Sequence, residues 1–435
     1  MKRFVYNCLF NVGFYAVAPF YFFKMARRGD WKRGFGQRFG HYETGLKHSL
    51  TNRDVVWLHA VSVGEVNLVL GLIGALEKRL PNHKFVVSTT TSTGMAVLRQ
   101  RLPDRVSRIY YPIDRRKHVQ RAMGTIHPEA VVLVEAELWP NFLWSLQRRN
   151  VPYFLVNARI SDRSARGYRR FGFLFRQLFA GFSGVTAQNE ADAQRLRDLG
   201  VPADVIHVVG SLKFDAAKLA TPKRLDVPGL LGQLGVGTDS LVLVGGSTHS
   251  GEEEILAEML PRLRRHFPKL FLVLVPRHHE RGRAVGDELK RCGVPFAYRT
   301  EITADTRREP GSVECLLVNT TGELLAFYER ADVVFVGKSL TAEGGQNPIE
   351  PAALGKAVVF GPHMENFPQV VPQFLEAGGA IQVADAPALE RALEDLLAHP
   401  ERRAAVGERG LAVVQKNAGS LEETADMIAR RVKVR

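Results

Sequence analysis

Residues 54–80 read DVVWLHAVSVGEVNLVLGLIGALEKRL, and the pattern changes midway. A short apolar run over 54–60 gives way at His59-Ala-Val-Ser-Val-Gly-Glu65 to an amphipathic stretch over 66–80. The first half predicts a strand covered on both faces, the second a helix with one apolar side. Gly64 permits a tight turn between them. A strand that passes at once into a helix is the repeating unit of a parallel sheet.

The unit recurs. Apolar runs follow at 84–90, 106–111, 129–135, 151–156, 184–188 and 204–209, with a further helical pattern at 191–199. After a Pro/Gly-bearing stretch at 222–238, a second series reads 240–246, 269–275, 315–319, 332–336 and 357–360. This predicts an α/β chain of two doubly wound, Rossmann-like domains with a linker near 215–238. The expected boundaries are 1–45, 46–221 and 222–435. Ligands in such folds sit at the carboxyl ends of the strands, and a cleft between the two domains is the expected site. The 435 residues, 45% of them hydrophobic, suffice for two cores.

A net charge of +14 favours anionic partners. The cysteines, Cys8, Cys292 and Cys315, are scattered, which fits a reducing compartment and argues against a disulfide scaffold or zinc site. Residues 4–23, FVYNCLFNVGFYAVAPFYFF, have the roughly 20-residue length of a bilayer-spanning helix. Lys24, Arg27, Arg28, Lys32, Arg33 and Arg38 follow, which would hold the next domain on the cytoplasmic side, near anionic lipid. A buried packing helix is the alternative. Residues 159–182 mix six arginines, Arg166 and Arg169 among them, with five phenylalanines and a tyrosine. They suit a membrane surface or a phosphorylated lipid, or else an ordinary solvated helix.

Glu65 falls at a helix start, where the dipole favours a carboxylate, and at the carboxyl edge of the first sheet. It is the foremost candidate for a general base, although acidic residues also favour first turns for structural reasons alone. Glu135 and Glu137, two apart after the fourth run, would point to opposite faces. The Ser/Thr run 88–93 would hold phosphate or sugar hydroxyls, or simply cap the next helix. Ser250 and Glu253 have the spacing of a plain capping box. Arg277 ends a strand where it would pair with a phosphate. Lys213 would reach the cleft from the end of the first domain. Residues 344–353, GGQNPIEPAA, combine close-approach glycines, among them Gly345, with a short helix begun at Pro348. Its free N–H groups suit a phosphate and Glu350 a ribose, while Asn347 and Glu350 also have capping-box spacing. No Walker loop, G-x-G-x-x-G, Ser-His-Asp signature, DxD motif or His/Cys metal cluster is evident.

HAVSVGE at 59–65, EAELWPN at 135–141, GSLKFD at 210–215, VPRH at 275–278 and GGQNPIEPA at 344–352 occur in one order. In this the chain resembles the 3-deoxy-D-manno-octulosonic acid (Kdo) transferases of Gram-negative lipopolysaccharide synthesis. The resemblance implies a two-domain GT-B fold and inverting, metal-independent transfer, without a cofactor. The donor would be CMP-Kdo and the acceptor a phosphorylated lipid A precursor at the cytoplasmic face of the inner membrane. Nucleic acid is not an expected partner. It further implies Glu65 as general base. Arg277, Asn347, Glu350, Gly345 and Lys213 would form the donor site, with Glu135, Glu137, Arg166 and Arg169 available to the acceptor or cleft. Lys338 and Gln346 depart from the family pattern. The rival readings are a sugar-nucleotide epimerase of the same fold and a non-enzymatic basic protein that binds lipid or nucleic acid.

Overall fold

The computed structural model describes residues 2–27, 33–135, 138–219 and 225–433. The chain divides into two units, Met1–Ala216 with Gly419–Arg435, and Ala217–Ala418.

In the first unit seven strands form one wholly parallel sheet. They are β1 (Val55–His59), β2 (Lys84–Thr89), β3 (Ser107–Tyr110), β4 (Ala130–Val134), β5 (Tyr153–Ala158), β6 (Gly184–Ala187) and β7 (Ile206–Val208), in the order β3-β2-β1-β4-β5-β6-β7. The chain winds outward from β1 in one direction and from β4 in the other, so the switch point lies between them. Alternate residues feed two core layers. Val55, Trp57, Val131 and Leu133 enter one, and Val56, Leu58, Val132 and Val134 the other. Both faces are covered, which is why these strands read as unbroken apolar runs.

The chain end, expected with the second domain, belongs instead to the first unit. Helix Ser420–Lys433 closes one core layer through Leu421, Ala425 and Ile428, beside helix Val63–Arg79. Arg79 pairs with Asp426 at 2.6 Å and Glu422 at 2.7 Å. Spacings of three and four residues put those apolar side chains on one helix face, and that face needs a partner.

The second unit repeats the design with β8 (Val242–Thr248), β9 (Phe271–Pro276), β10 (Phe296–Tyr298), β11 (Cys315–Leu317), β12 (Val333–Val336), β13 (Ala357–Phe360) and β14 (Ile381–Gln382). Their order is β10-β11-β9-β8-β12-β13-β14, all parallel, with the switch point between β8 and β12. The edge strands β10 and β14, three and two residues long, are too short to have shown as apolar runs. The expected linker carries helices Leu212–Leu219 and Val227–Gln233.

The apolar N-terminus forms the helix Lys2–Arg27. The expectation of a bilayer-spanning segment is not met, because among the described residues no helix is long and apolar enough to cross a membrane. Asn7, Asn11 and Gly13 dilute the run, and its polar groups are used against the first unit. The Tyr6 hydroxyl donates to Asp114 Oδ2 at 2.8 Å, and Asn141 Nδ2 donates to Asn7 Oδ1 at 2.9 Å. Arg3 lies over the Trp144 ring, 5.3 Å from its centroid. Burial pushes the Asp114 carboxyl up to about 7, although the N–H groups of Asn141 and Phe142 oppose the shift. The outward side of the helix leaves Phe4, Leu9, Val12 and Phe20 exposed.

Candidate active site

The β1–helix turn is built around Glu65. Ser62 is the N-cap of helix Val63–Arg79, and its hydroxyl accepts the Glu65 N–H at 3.2 Å. The Glu65 carboxylate reaches back, accepting the Val61 N–H on Oε2 at 2.8 Å, and on Oε1 the Ser62 N–H at 3.3 Å and the Ser62 hydroxyl at 2.8 Å. This is a capping box, so the structural reading of Glu65 holds. It also fixes the carboxylate at the carboxyl end of β1, beside the switch point. Thr89 and Thr91 brace the turn from below, since both hydroxyls donate to Val61 O, at 3.1 and 2.9 Å. Thr91 also caps helix Ser92–Arg101, so these two residues of the Ser/Thr run serve the turn and a cap.

Across the switch point, Glu135 follows β4 with φ 61°, a left-handed conformation that costs a non-glycine residue on the order of 1–3 kcal/mol. Asn157, fully buried at the end of β5, is left-handed too, with φ 53°. Its side chain donates to Glu135 Oε1 at 3.5 Å and accepts the Leu212 N–H at 3.1 Å. It therefore ties the Glu135 turn to the GSLKFD segment. Sequence reasoning missed Asn157; its one signal is a polar residue placed directly after an apolar strand run. Lys213 completes the group. Burial lowers its pKa most, Glu135 and Glu65 oppose that, and Arg159 adds to it. Lys213 thus lies in the first unit, in the electrostatic field of Glu65 and Glu135. Glu137 lies outside the described residues. Arg166 and Arg169 are exposed on helix Asp162–Arg170.

His59, in the same motif as Glu65, is structural. Its ring stacks on Tyr111 with centroids 3.8 Å apart, its Nδ1 lies 2.9 Å from Ser88 Oγ, and burial lowers its pKa to about 3. The folded ring therefore stays neutral where the unfolded ring takes a proton. Between pH about 6.5 and about 3, wild-type unfolding free energy should fall with pH by up to about 1.4 kcal/mol per unit relative to His59→Gln. Urea titrations at several pH values measure this; parallel pH slopes would contradict it.

In the second unit the same strain marks the same place. Ser247 near the end of β8 and Lys338 after β12 both have φ 54°. Gly344 and Gly345 follow at φ 116° and 67°, and a Cβ on Gly345 would collide with Met364 and the His363 carbonyl. Asn347 Nδ2 donates to Glu350 Oε1 at 3.0 Å, while its Oδ1 accepts the Ile349 N–H at 3.1 Å. The helix that begins there, Ile349–Ala353, has only five residues, with Pro348 as its N-cap. The expected free helix N-terminus is thus partly closed by Asn347. Arg277 follows β9, where its N–H donates to Thr248 O at 2.9 Å and its side chain is exposed. The expected Ser250/Glu253 capping box does not form. Gly251 is the N-cap, without a side-chain cap, and Glu253 is buried in an ion pair with Arg281 at 2.7 Å.

Among the described residues one group has metal-ligand geometry, Asp54, His83 and Glu129. It lies at the amino ends of β1, β2 and β4, the edge opposite Glu65, and His83 and Glu129 already pair at 2.8 Å. Sequence reasoning did not find it because its members lie far apart in the chain.

Comparison with known proteins gives a consistent answer. Residues 33–216 match the family model described as 3-deoxy-D-manno-octulosonic-acid transferase (kdotransferase). The chain is 31% identical over 430 residues to the 3-deoxy-D-manno-octulosonic acid transferase of Haemophilus influenzae, covering 98% of each chain. It is 33% identical to the enzyme of that name from Bordetella pertussis, covering 97% of this chain and 98% of the relative. Among solved structures, the UDP-GlcNAc 2-epimerase of Neisseria meningitidis matches with a TM-score of 0.59 over 88% of this chain and 100% of the epimerase. At 13% identity that likeness shows the GT-B-like α/β fold alone.

Proposed function

The chain belongs to the 3-deoxy-D-manno-octulosonic acid transferase family, and on that premise we propose that it moves Kdo from CMP-Kdo to a phosphorylated lipid A precursor, lipid IVA. Glu65 is the general base. It takes the proton of the attacking glucosamine hydroxyl as that oxygen bonds to the anomeric carbon of Kdo. The bond from that carbon to the CMP phosphate oxygen breaks, and CMP leaves with the electron pair. Attack from the face opposite CMP inverts the centre. The observation that carries the reading is Glu65 held by its capping box at the first switch point, inside the segment that matches the family model. Lys213 and Glu135 set the charge around it.

Gly345, Asn347, Glu350 and Arg277 form the donor site. The glycines admit a close ligand, Glu350 takes ribose hydroxyls, and Arg277 pairs with the phosphate as charge builds on it. Glu350→Ala and Arg277→Ala should each weaken CMP binding by about tenfold or more, the scale of one lost charge-assisted contact. Affinity for the lipid acceptor should hold. Calorimetric titration with CMP measures it; unchanged affinity in both variants would sink the placement.

The protein sits at the cytoplasmic face of the inner membrane, lying in its interface rather than crossing it. The exposed apolar side of helix Lys2–Arg27, with exposed Phe171 and Phe173, would enter the acyl boundary. Cations crowd the same unit. Arg115, Arg121, His41 and Lys117 add to the burial that lowers His118 to about 4, a balance that suits anionic lipid and a phosphorylated acceptor.

A further inference from the structure

Glu252 is fully buried, and its two oxygens accept four backbone N–H groups. Oε2 takes those of His249 at 2.8 Å and Lys338 at 2.7 Å. Oε1 takes those of Ser339 and Leu340, both at 2.9 Å. These donors belong to the loops after β8 and β12, the two strands at the second switch point. The loop after β12 continues directly into the proposed donor site. Lys338 O accepts the Gly345 N–H at 2.9 Å, and Gly337 O accepts the Gln346 N–H at 3.1 Å. Whatever fixes Lys338 in its left-handed conformation therefore also sets where Gly345, and with it Asn347 and Glu350, stand.

We propose that Glu252 is a positioning residue of the donor site: its carboxylate clamps the β8 and β12 loops together and so holds the 344–350 segment in its binding conformation. This rests on the donor-site reading above. An ionised carboxylate is the only protein side chain with acceptor capacity for four such donors and no proton to oppose them. Glutamine keeps the size but turns a donor toward two of the N–H groups. The next residue supplies a control. Glu253 is equally buried but pairs with Arg281 and is not bonded to either loop.

The test compares CMP affinity by calorimetry, the KM of donor and of acceptor, and thermal stability in the full-length protein. Glu252→Gln should weaken CMP binding by about tenfold or more and raise donor KM, with acceptor KM unchanged. Glu253→Gln should lower Tm yet bind CMP as wild type does. The penalty of Glu252→Gln should shrink in a Lys338→Gly background, because glycine adopts the left-handed conformation unaided. If Glu252→Gln does not fold, Glu252→Asp replaces it, its shorter reach unable to span both loops. Glu350→Ala serves as reference. Wild-type CMP affinity in Glu252→Gln beside a loss in Glu350→Ala would overturn the clamp alone. Wild-type affinity in Glu350→Ala would overturn the donor-site reading and the clamp with it.

Discussion

Glu65→Gln should lower transfer by about 10²–10⁴-fold, the usual cost of removing a general base, while CMP affinity stays near wild type. The substitution is informative because of how Glu65 is held. A capping box accepts glutamine as well as glutamate at its third helical position, so the variant keeps the bonds to Ser62 while giving up the Val61 N–H contact and the proton acceptor. Ser62→Ala makes the opposite cut. It removes the cap hydroxyl that receives the Glu65 N–H, at a cost of about 1 kcal/mol in stability, and leaves the carboxylate present and still bonded to the Val61 and Ser62 N–H groups. If Glu65 serves only its helix, Glu65→Gln will turn over near the wild-type rate and Ser62→Ala will be the more damaging. If it is the base, the order reverses. Single-turnover rates with saturating donor decide between them.

The second large effect concerns the N-terminal helix. Replacing Leu9, Val12 and Phe20 together by serine should release the protein from vesicles of anionic lipid by at least about a hundredfold. Each apolar side chain removed from water is worth about 1.5–3 kcal/mol when fully buried, and three act together. Turnover on detergent-dispersed acceptor should persist, while turnover on vesicle-embedded acceptor should fall. These side chains are exposed, whereas Tyr6 and Asn7 bond to Asp114 and Asn141. The triple variant therefore leaves the packed flank of the helix intact, as removal of the whole segment would not. Undiminished sedimentation with vesicles at high salt, where residual attraction to lipid charge is screened, would contradict the interfacial reading.

All strands but the short edge strands β10 and β14 were legible because a fully covered parallel sheet writes each strand as an apolar run. Runs at 54–60 and 332–336 needed nothing more. What escaped was long-range or conformational. Helix Ser420–Lys433 reads as amphipathic, but no local pattern says which unit its apolar face joins. Asp54, His83 and Glu129 meet only because three strand starts are aligned. The local identity of residues 344–353 suggested a ligand site, yet the left-handed conformations of Glu135, Ser247 and Lys338 are invisible in residue types that rarely adopt them. Ser250 and Glu253 show the opposite failure. Their spacing fits a cap, but burial of Glu253 against Arg281 outweighs that local preference. The apolar length of residues 4–23 likewise concealed a flank whose Tyr6 and Asn7 are committed to the first unit.

The proposed reaction is transfer of Kdo from CMP-Kdo to a lipid A precursor. Purified protein, CMP-Kdo and lipid IVA in detergent, with products resolved by mass spectrometry, test it directly. The expected products are acceptor whose mass has grown by whole Kdo residues, matched by released CMP, with no conversion of CMP-Kdo when the acceptor is omitted. Unmodified acceptor beside intact donor, or a donor altered without any acceptor present, would contradict it.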